Sequence, residues 1–181
     1  MGTELSTKNK IQALRSLAVP VLRYSFGIVK WHQEELQTLE RKKRKLLTIR
    51  RQHRPNADVD CLYVPRKQGG RGLMQLEAVH AVEISELVEY VDRKEDPLAQ
   101  VVRTHQHNTD SAVLQTGRCL RGKERLMDSI AEKTKERWHG KRMDGQLPRN
   151  LDEKLVNIEQ SYGWLKSGDI KGETESTIVA A

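Results

Sequence analysis

The chain has 181 residues, of which 31% are charged, 36% are hydrophobic and only 4% are aromatic, with a single Phe. That lean core inventory argues against a β-sandwich and for helices packed on Leu, Val and Ile. No apolar run approaches the roughly 18 residues of a membrane span, the first ten residues lack the apolar centre of a signal peptide, and Cys61 and Cys119 make neither a disulfide scaffold nor a zinc site alone. A reducing, intracellular compartment and no membrane partner are the expectation.

The pattern predicts an all-α chain. From Lys8 to about Val29, Ile11, Leu14, Leu17, Ala18, Val21 and Leu22 recur at helical spacing. Pro20 removes a backbone donor, so a kink or a pair of short helices is expected there. A second helix runs from near His32 to about Arg51, with Leu36, Leu39, Leu46, Leu47 and Ile49 as its buried side. Glu34 and Glu35 open it and basic residues close it, which suits the helix dipole. Asp58 is a fair N-cap for a short helix through Leu62, Tyr63 and Val64. Pro65 to Gly72 reads as a turn with three glycines. A third long helix covers roughly Gln75 to Arg93, with Leu76, His80, Ile84, Leu87, Val88 and Val91 facing inward.

The C-terminal half is less regular. Pro97 to Arg103 suits a short helix, and Gln106 to Gly117 reads as polar loop. Residues 122–138 suit an exposed helix with a stripe of Leu126, Ile130 and Trp138. After a break at Gly140 to Pro148, Leu151, Leu155, Ile158, Tyr162 and Leu165 mark one amphipathic helix. Glu173 to Ala181 reads as a helix cut short. The expected units are a helical bundle over 8–94 with a short Gly-rich turn, a loosely attached linker over 95–150, and amphipathic helices over 151–181.

Charge is the most informative functional signal. Residues 1–75 carry 16 Lys and Arg against 6 Asp and Glu, whereas residues 76–181 carry 16 against 19. The basic surplus centres on Arg41, Lys42, Lys43, Arg44 and Lys45, followed by Arg50, Arg51 and Arg54. If Arg41, Lys42 and Lys45 share a face while Leu46 and Leu47 turn inward, the stripe can follow a phosphate backbone, which asks for charge and reach rather than base-specific geometry. A nuclear localisation signal and a solvated face are the alternatives.

Other motifs carry less. Gly69-Gly70-Arg71-Gly72 lacks the Lys-Ser/Thr pair of a Walker loop, because Leu73 and Met74 follow. Asp58 and Asp60 suit a cap better than a metal pair. His105 and His107 have no partner at ligand spacing and read as surface loop. No catalytic centre and no cofactor motif emerge.

Three blocks carry a family resemblance: KNKIQALRSLAVPVLRYSFGIVKW (Lys8–Trp31), EELQTLERKKRKLLT (Glu34–Thr48) and HRPNADVDCLYVPRKQGGRGL (His53–Leu73). Together they resemble the segment that follows the polymerase core in site-specific non-LTR (LINE-type) retrotransposon polyproteins. RWHGKRMDGQLPRN (Arg137–Asn150) and YGWLKSGDIKGETESTIVAA (Tyr162–Ala181) resemble that family's linker. The resemblance implies a reverse transcriptase thumb, a helical bundle beside the palm that grips the template–primer duplex. It also implies RNA and DNA as partners, a missing polymerase palm as a further one, and a nuclear site of action. The Tyr-x-Asp-Asp hairpin of the palm, the zinc knuckle and the endonuclease do not occur in this sequence. The chain is therefore expected to be a noncatalytic piece of an RNA-directed DNA polymerase. His32 stands where a hydroxyl N-cap is expected before Glu35, which predicts an incomplete capping box. The alternative is a helical host-type protein used for protein–protein contact. Oligomeric state is left open.

Overall fold

Ser6 begins the first helix by accepting the Asn9 N–H on its hydroxyl at 3.3 Å. The computed structural model describes residues 5–108, 126–141, 156–168 and 170–179; among these, every regular element is helical and no strand occurs. Helix α1 (Thr7–Ala13) passes through a π-helical turn (Leu14–Ala18) into α2 (Val19–Phe26). The Val19 N–H reaches back to the Leu14 carbonyl. This wider turn sits directly before Pro20, where a normal turn would meet the proline ring and lose a donor. The expected interruption is thus a π turn within a continuing helix.

Helix α3 spans Gln33–Ile49. At its start the Glu35 carboxylate accepts the His32 N–H at 2.9 Å, so the acidic arm of the capping box closes without a hydroxyl residue at the cap. A short α4 (Asp60–Tyr63) follows, then a 3₁₀ turn (Arg66–Gln68) and α5 (Leu76–Arg93). The N-cap of α4 is Val59 rather than the expected Asp58, which sits one residue earlier and accepts the Asp60 N–H on Oδ1 at 2.7 Å. Helix α6 (Pro97–Asn108) is longer than expected, so His105 and His107 lie on helical backbone rather than in a loop. Helix α7 covers Leu126–His139. The single helix expected through Tyr162 and Leu165 is instead split. Helix α8 (Ile158–Ser161) and α9 (Gly163–Ser167) meet at Tyr162, whose backbone leaves helical geometry at φ −99° and ψ 10°. Helix α10 (Gly172–Val179) is last. The expected loop over 109–117, the break over 142–148 and the apolar positions Leu151 and Leu155 lie outside the described residues.

Three apolar clusters hold these elements. Val19, Phe26, Leu36, Leu76 and Val79 join α2, α3 and α5. Phe26 is fully buried and meets the rings of Trp31 and His80 edge-on, with centroids 5.9 and 5.0 Å apart. Ile11, Leu47, Leu62 and Leu73 join α1, α3 and α4. The third cluster contains Cys61, Val64, Trp138, Tyr162, Leu165 and Val179. It packs α9, α10 and Trp138 of α7, a residue of the expected linker, onto the segment around α4.

The glycine-rich turn is the hub of that association. Its backbone folds back on α4: Arg71 N–H donates to Cys61 O at 2.9 Å, Leu73 N–H to Leu62 O at 2.8 Å, and Gly72 N–H to Val64 O at 2.8 Å. Gly69 has φ +88°, and a Cβ there would lie 2.6 Å from the Tyr162 ring. A Cβ on Gly70 would meet the Val64 carbonyl oxygen at 2.1 Å. The motif is a packing turn, as its lack of a Lys-Ser/Thr pair foretells.

Candidate nucleic-acid interface

Helix α3 divides the basic run by its own periodicity. Arg41, Lys42 and Lys45 point to solvent. Lys43 does not: it is 9% exposed, pairs with Glu40 at 3.0 Å and donates to the Met74 carbonyl at 2.5 Å. Burial lowers the Lys43 ammonium below its ordinary value, against the pull of Glu40. Arg44 is half-buried and donates to the Tyr63 hydroxyl at 3.0 Å. That hydroxyl donates in turn to Glu40 Oε2 at 2.8 Å, and Glu40 Oε1 accepts the Leu76 N–H at the start of α5. Burial and the neighbouring Glu40 raise the Tyr63 phenol. Lys43 and Arg44, expected to contact nucleic acid, therefore serve a network that ties α3 to α4 and α5. Residues two and three positions after Arg41 rotate by about 200° and 300°, so a five-residue basic run cannot stay on one face of a helix.

A second expectation is also corrected. Leu47 is buried, but Leu46 is 56% exposed and Ile49 is exposed as well. The outward side of α3 thus mixes apolar and basic side chains.

The remaining predicted cations lie around the C-terminus of α3. Arg50 caps the helix and is exposed. Arg51 follows with φ +54° and is exposed, its N–H bonding to Thr48 O at 2.9 Å; the next N–H, of Gln52, bonds to Leu47 O at 2.9 Å. This is a Schellman stop with arginine at the position usually given to glycine. Arg51 pairs with Glu173 at 3.2 Å, and Arg54 donates to the Thr177 hydroxyl at 3.2 Å. Both reach α10 across the surface.

The pair Asp58 and Asp60 is neutralised from an unexpected quarter. Arg137 grips Asp60 with two donors, at 2.8 and 2.5 Å, and Lys141 reaches Asp60 at 2.9 Å and also Asp58. Burial pushes the Asp60 carboxyl up, yet the hydrogen bonds and charges of Arg137 and Lys141 outweigh it and hold the group below its ordinary value. Neither cation is foretold by its own segment: Arg137 lies in the last turn of α7 and Lys141 two residues beyond its end. Buried Glu175 is likewise bracketed by Arg66 at 2.7 Å and by fully buried Arg71 at 2.6 Å. Among the described residues, no three His, Cys, Asp or Glu side chains are grouped as a metal site requires. No described helix is long and apolar enough to cross a membrane.

No protein-family model, curated protein or solved structure matches the chain.

Proposed function

We propose that the chain is a noncatalytic nucleic-acid-binding piece of a non-LTR retrotransposon reverse transcriptase, its thumb and following linker. The observation that supports this reading is the set Arg41, Lys42, Lys45 and Arg50. All four are exposed, and none has a carboxylate within ion-pair reach among the described residues. Nine residues of helical rise separate the first from the last, about 13 Å. Arg41, Lys42 and Lys45 lie within about 100° of one another around α3 and can face one phosphate backbone, while Arg50 extends the reach from the C-cap. Arg51 and Arg54 extend the basic edge. The duplex in this reading is the template–primer hybrid of RNA and DNA, the palm is the absent neighbour, and the nucleus is the site of action.

The test is fluorescence anisotropy of a labelled RNA·DNA hybrid over a salt series. Four phosphate contacts give a log–log slope near −3, taking about 0.7–0.9 per contact. Sequence preference is slight, because a charge stripe reads no base edges. Absence of binding at low salt refutes the proposal. A second reading, a helical protein devoted to protein–protein contact, draws on the exposed stripe of Leu17, Val21, Tyr24 and Ile28, which runs from the π turn along α2 to just beyond its end.

A further inference from the structure

The π turn and the C-terminal part of α3 leave an open groove between them, with a volume of about 380 Å³. Its walls are Ala13, Leu14 and Leu17 on one side and Leu46 and Leu47 on the other, and no Asp or Glu lines it. Leu17 is 70% and Leu46 56% exposed, so both apolar walls of the groove are open to solvent. One end of the groove is basic. Lys10 and Arg50 line it and also line an adjoining cleft that contains Lys171. The acidic side chain of that cleft, Glu173, is engaged by Arg51 at 3.2 Å. The arrangement is therefore an apolar trough closed by cations that have no carboxylate partner among the described residues.

We propose that this groove docks an acidic amphipathic helix of a protein partner. The trough from Lys10 to Leu17 is about 10 Å long, room for two helical turns. Apolar side chains at i and i+4 of the partner fill the space between Leu17 and Leu46, the helix-in-groove mode of recognition. Carboxylates at the partner's flank face Lys10 and Arg50. Charge complementarity selects this occupant: the same trough offers nothing to a basic helix, whose charges would meet uncompensated cations. The site is separate in chemistry from the phosphate-binding stripe, although Arg50 borders both.

The experiment titrates the full chain against a fluorescein-labelled helical peptide carrying Leu at i and i+4 and Glu at the flanking positions. Two companion peptides change Leu to Ser or Glu to Lys. Saturable binding is expected for the parent peptide, weakened about tenfold or more by either change and by Leu17→Ser or Leu46→Ser in the protein. Both leucines are largely exposed, so the variants keep the fold, which circular dichroism melting verifies. Leu17→Ser also keeps its affinity for the RNA·DNA hybrid, so failure of this proposal is distinguishable from failure of the phosphate reading. Equal binding of the Lys peptide, or no saturable binding, overturns the proposal. So does self-association in sedimentation that Leu17→Ser abolishes, since the occupant is then a second copy. Binding to anionic phosphatidylserine vesicles in preference to the peptide overturns it too.

Discussion

Lys43 and its neighbours Lys42 and Lys45 have the same side chain and sit within one turn of helix, yet they are expected to fail in opposite assays. Glu40 is 4% exposed, and its carboxylate is matched by the Lys43 ammonium at 3.0 Å and by the Tyr63 hydroxyl at 2.8 Å. Lys43→Ala removes the cation and leaves the anion buried. Breaking such a pair from one side costs about 3 kcal/mol. For a chain of this length each kcal/mol lowers the melting midpoint by about 2–4 °C, so the variant melts roughly 6–12 °C lower. The double variant Lys42→Ala, Lys45→Ala changes exposed positions only. Its stability stays within about 0.5 kcal/mol of the parent, because Ala is a good helix former. Its salt slope for the RNA·DNA hybrid falls by about 1.4–1.8, two contacts' worth. Thermal melting and anisotropy measured on the same preparations check both arms. If Lys43→Ala melts like the parent but loses hybrid binding, the division of the run into inward and outward cations is refuted. An unchanged slope in the double variant refutes the outward arm.

Three other perturbations follow from local geometry. Arg51→Gly relieves a left-handed arginine, worth about 1–2 kcal/mol, and loses only an exposed pair to Glu173 worth about 0–1; a raised melting midpoint is expected, with Arg51→Ala, which keeps the strain, giving no gain. Gly70→Ala forces a methyl group into the Val64 carbonyl, so a loss of about 3 kcal/mol or more is expected in denaturant titration. His53 and His80 are both held below the ordinary imidazole value, chiefly by burial and at His53 also by the Arg71 charge. Their folded forms resist a proton that the unfolded chain accepts, so this stability is complete above about pH 6.5 and is lost as pH falls through the folded values. Melting midpoints measured from pH 7.5 to 5 therefore decline, and His80→Phe makes the decline shallower; a flat profile in the parent contradicts the account.

The all-helical architecture was legible because the apolar spacing of α3 and α5 is strong and long. Both lie within two residues of the expected ends. The glycine turn was equally legible from its composition. What periodicity could not show was which apolar residue finds a partner. Leu46 and Ile49 fit the inward pattern of α3, but the neighbouring helix covers only Leu47 and leaves them in solvent. The same limit applies to Lys43. A basic run looks like one surface feature when read along the chain, yet a helix rotates each successive residue by about 100° and sends one of the five inward. Arg137 and Lys141 were invisible as partners of Asp58 and Asp60 because the contact spans more than 75 positions, and nothing local in either segment announces the other. Tyr162 fits a helical stripe too, but its ring is drawn against Gly69, and the helix breaks to deliver it.

Three of the buried carboxylates, Glu40, Asp60 and Glu175, explain how so lean an apolar inventory specifies one arrangement of helices. Glu40 joins α3 to α4 and the start of α5, Asp60 joins α4 to the end of α7, and Glu175 joins α10 to the glycine turn. A buried ion pair adds little net stability over an apolar pair of the same volume, but a mismatched one is heavily penalised. Leu and Val clusters tolerate sliding by a turn; a carboxylate that needs a particular arginine does not. Each node thus fixes a register that the apolar contacts leave loose. The nodes also set the functional surface. Lys43, Arg44, Arg66 and Arg71 are consumed internally, so the basic surplus of the first 75 residues does not spread evenly over the surface. On α3 the exposed cations that remain, Arg41, Lys42 and Lys45, lie on the side opposite buried Lys43 and Leu47.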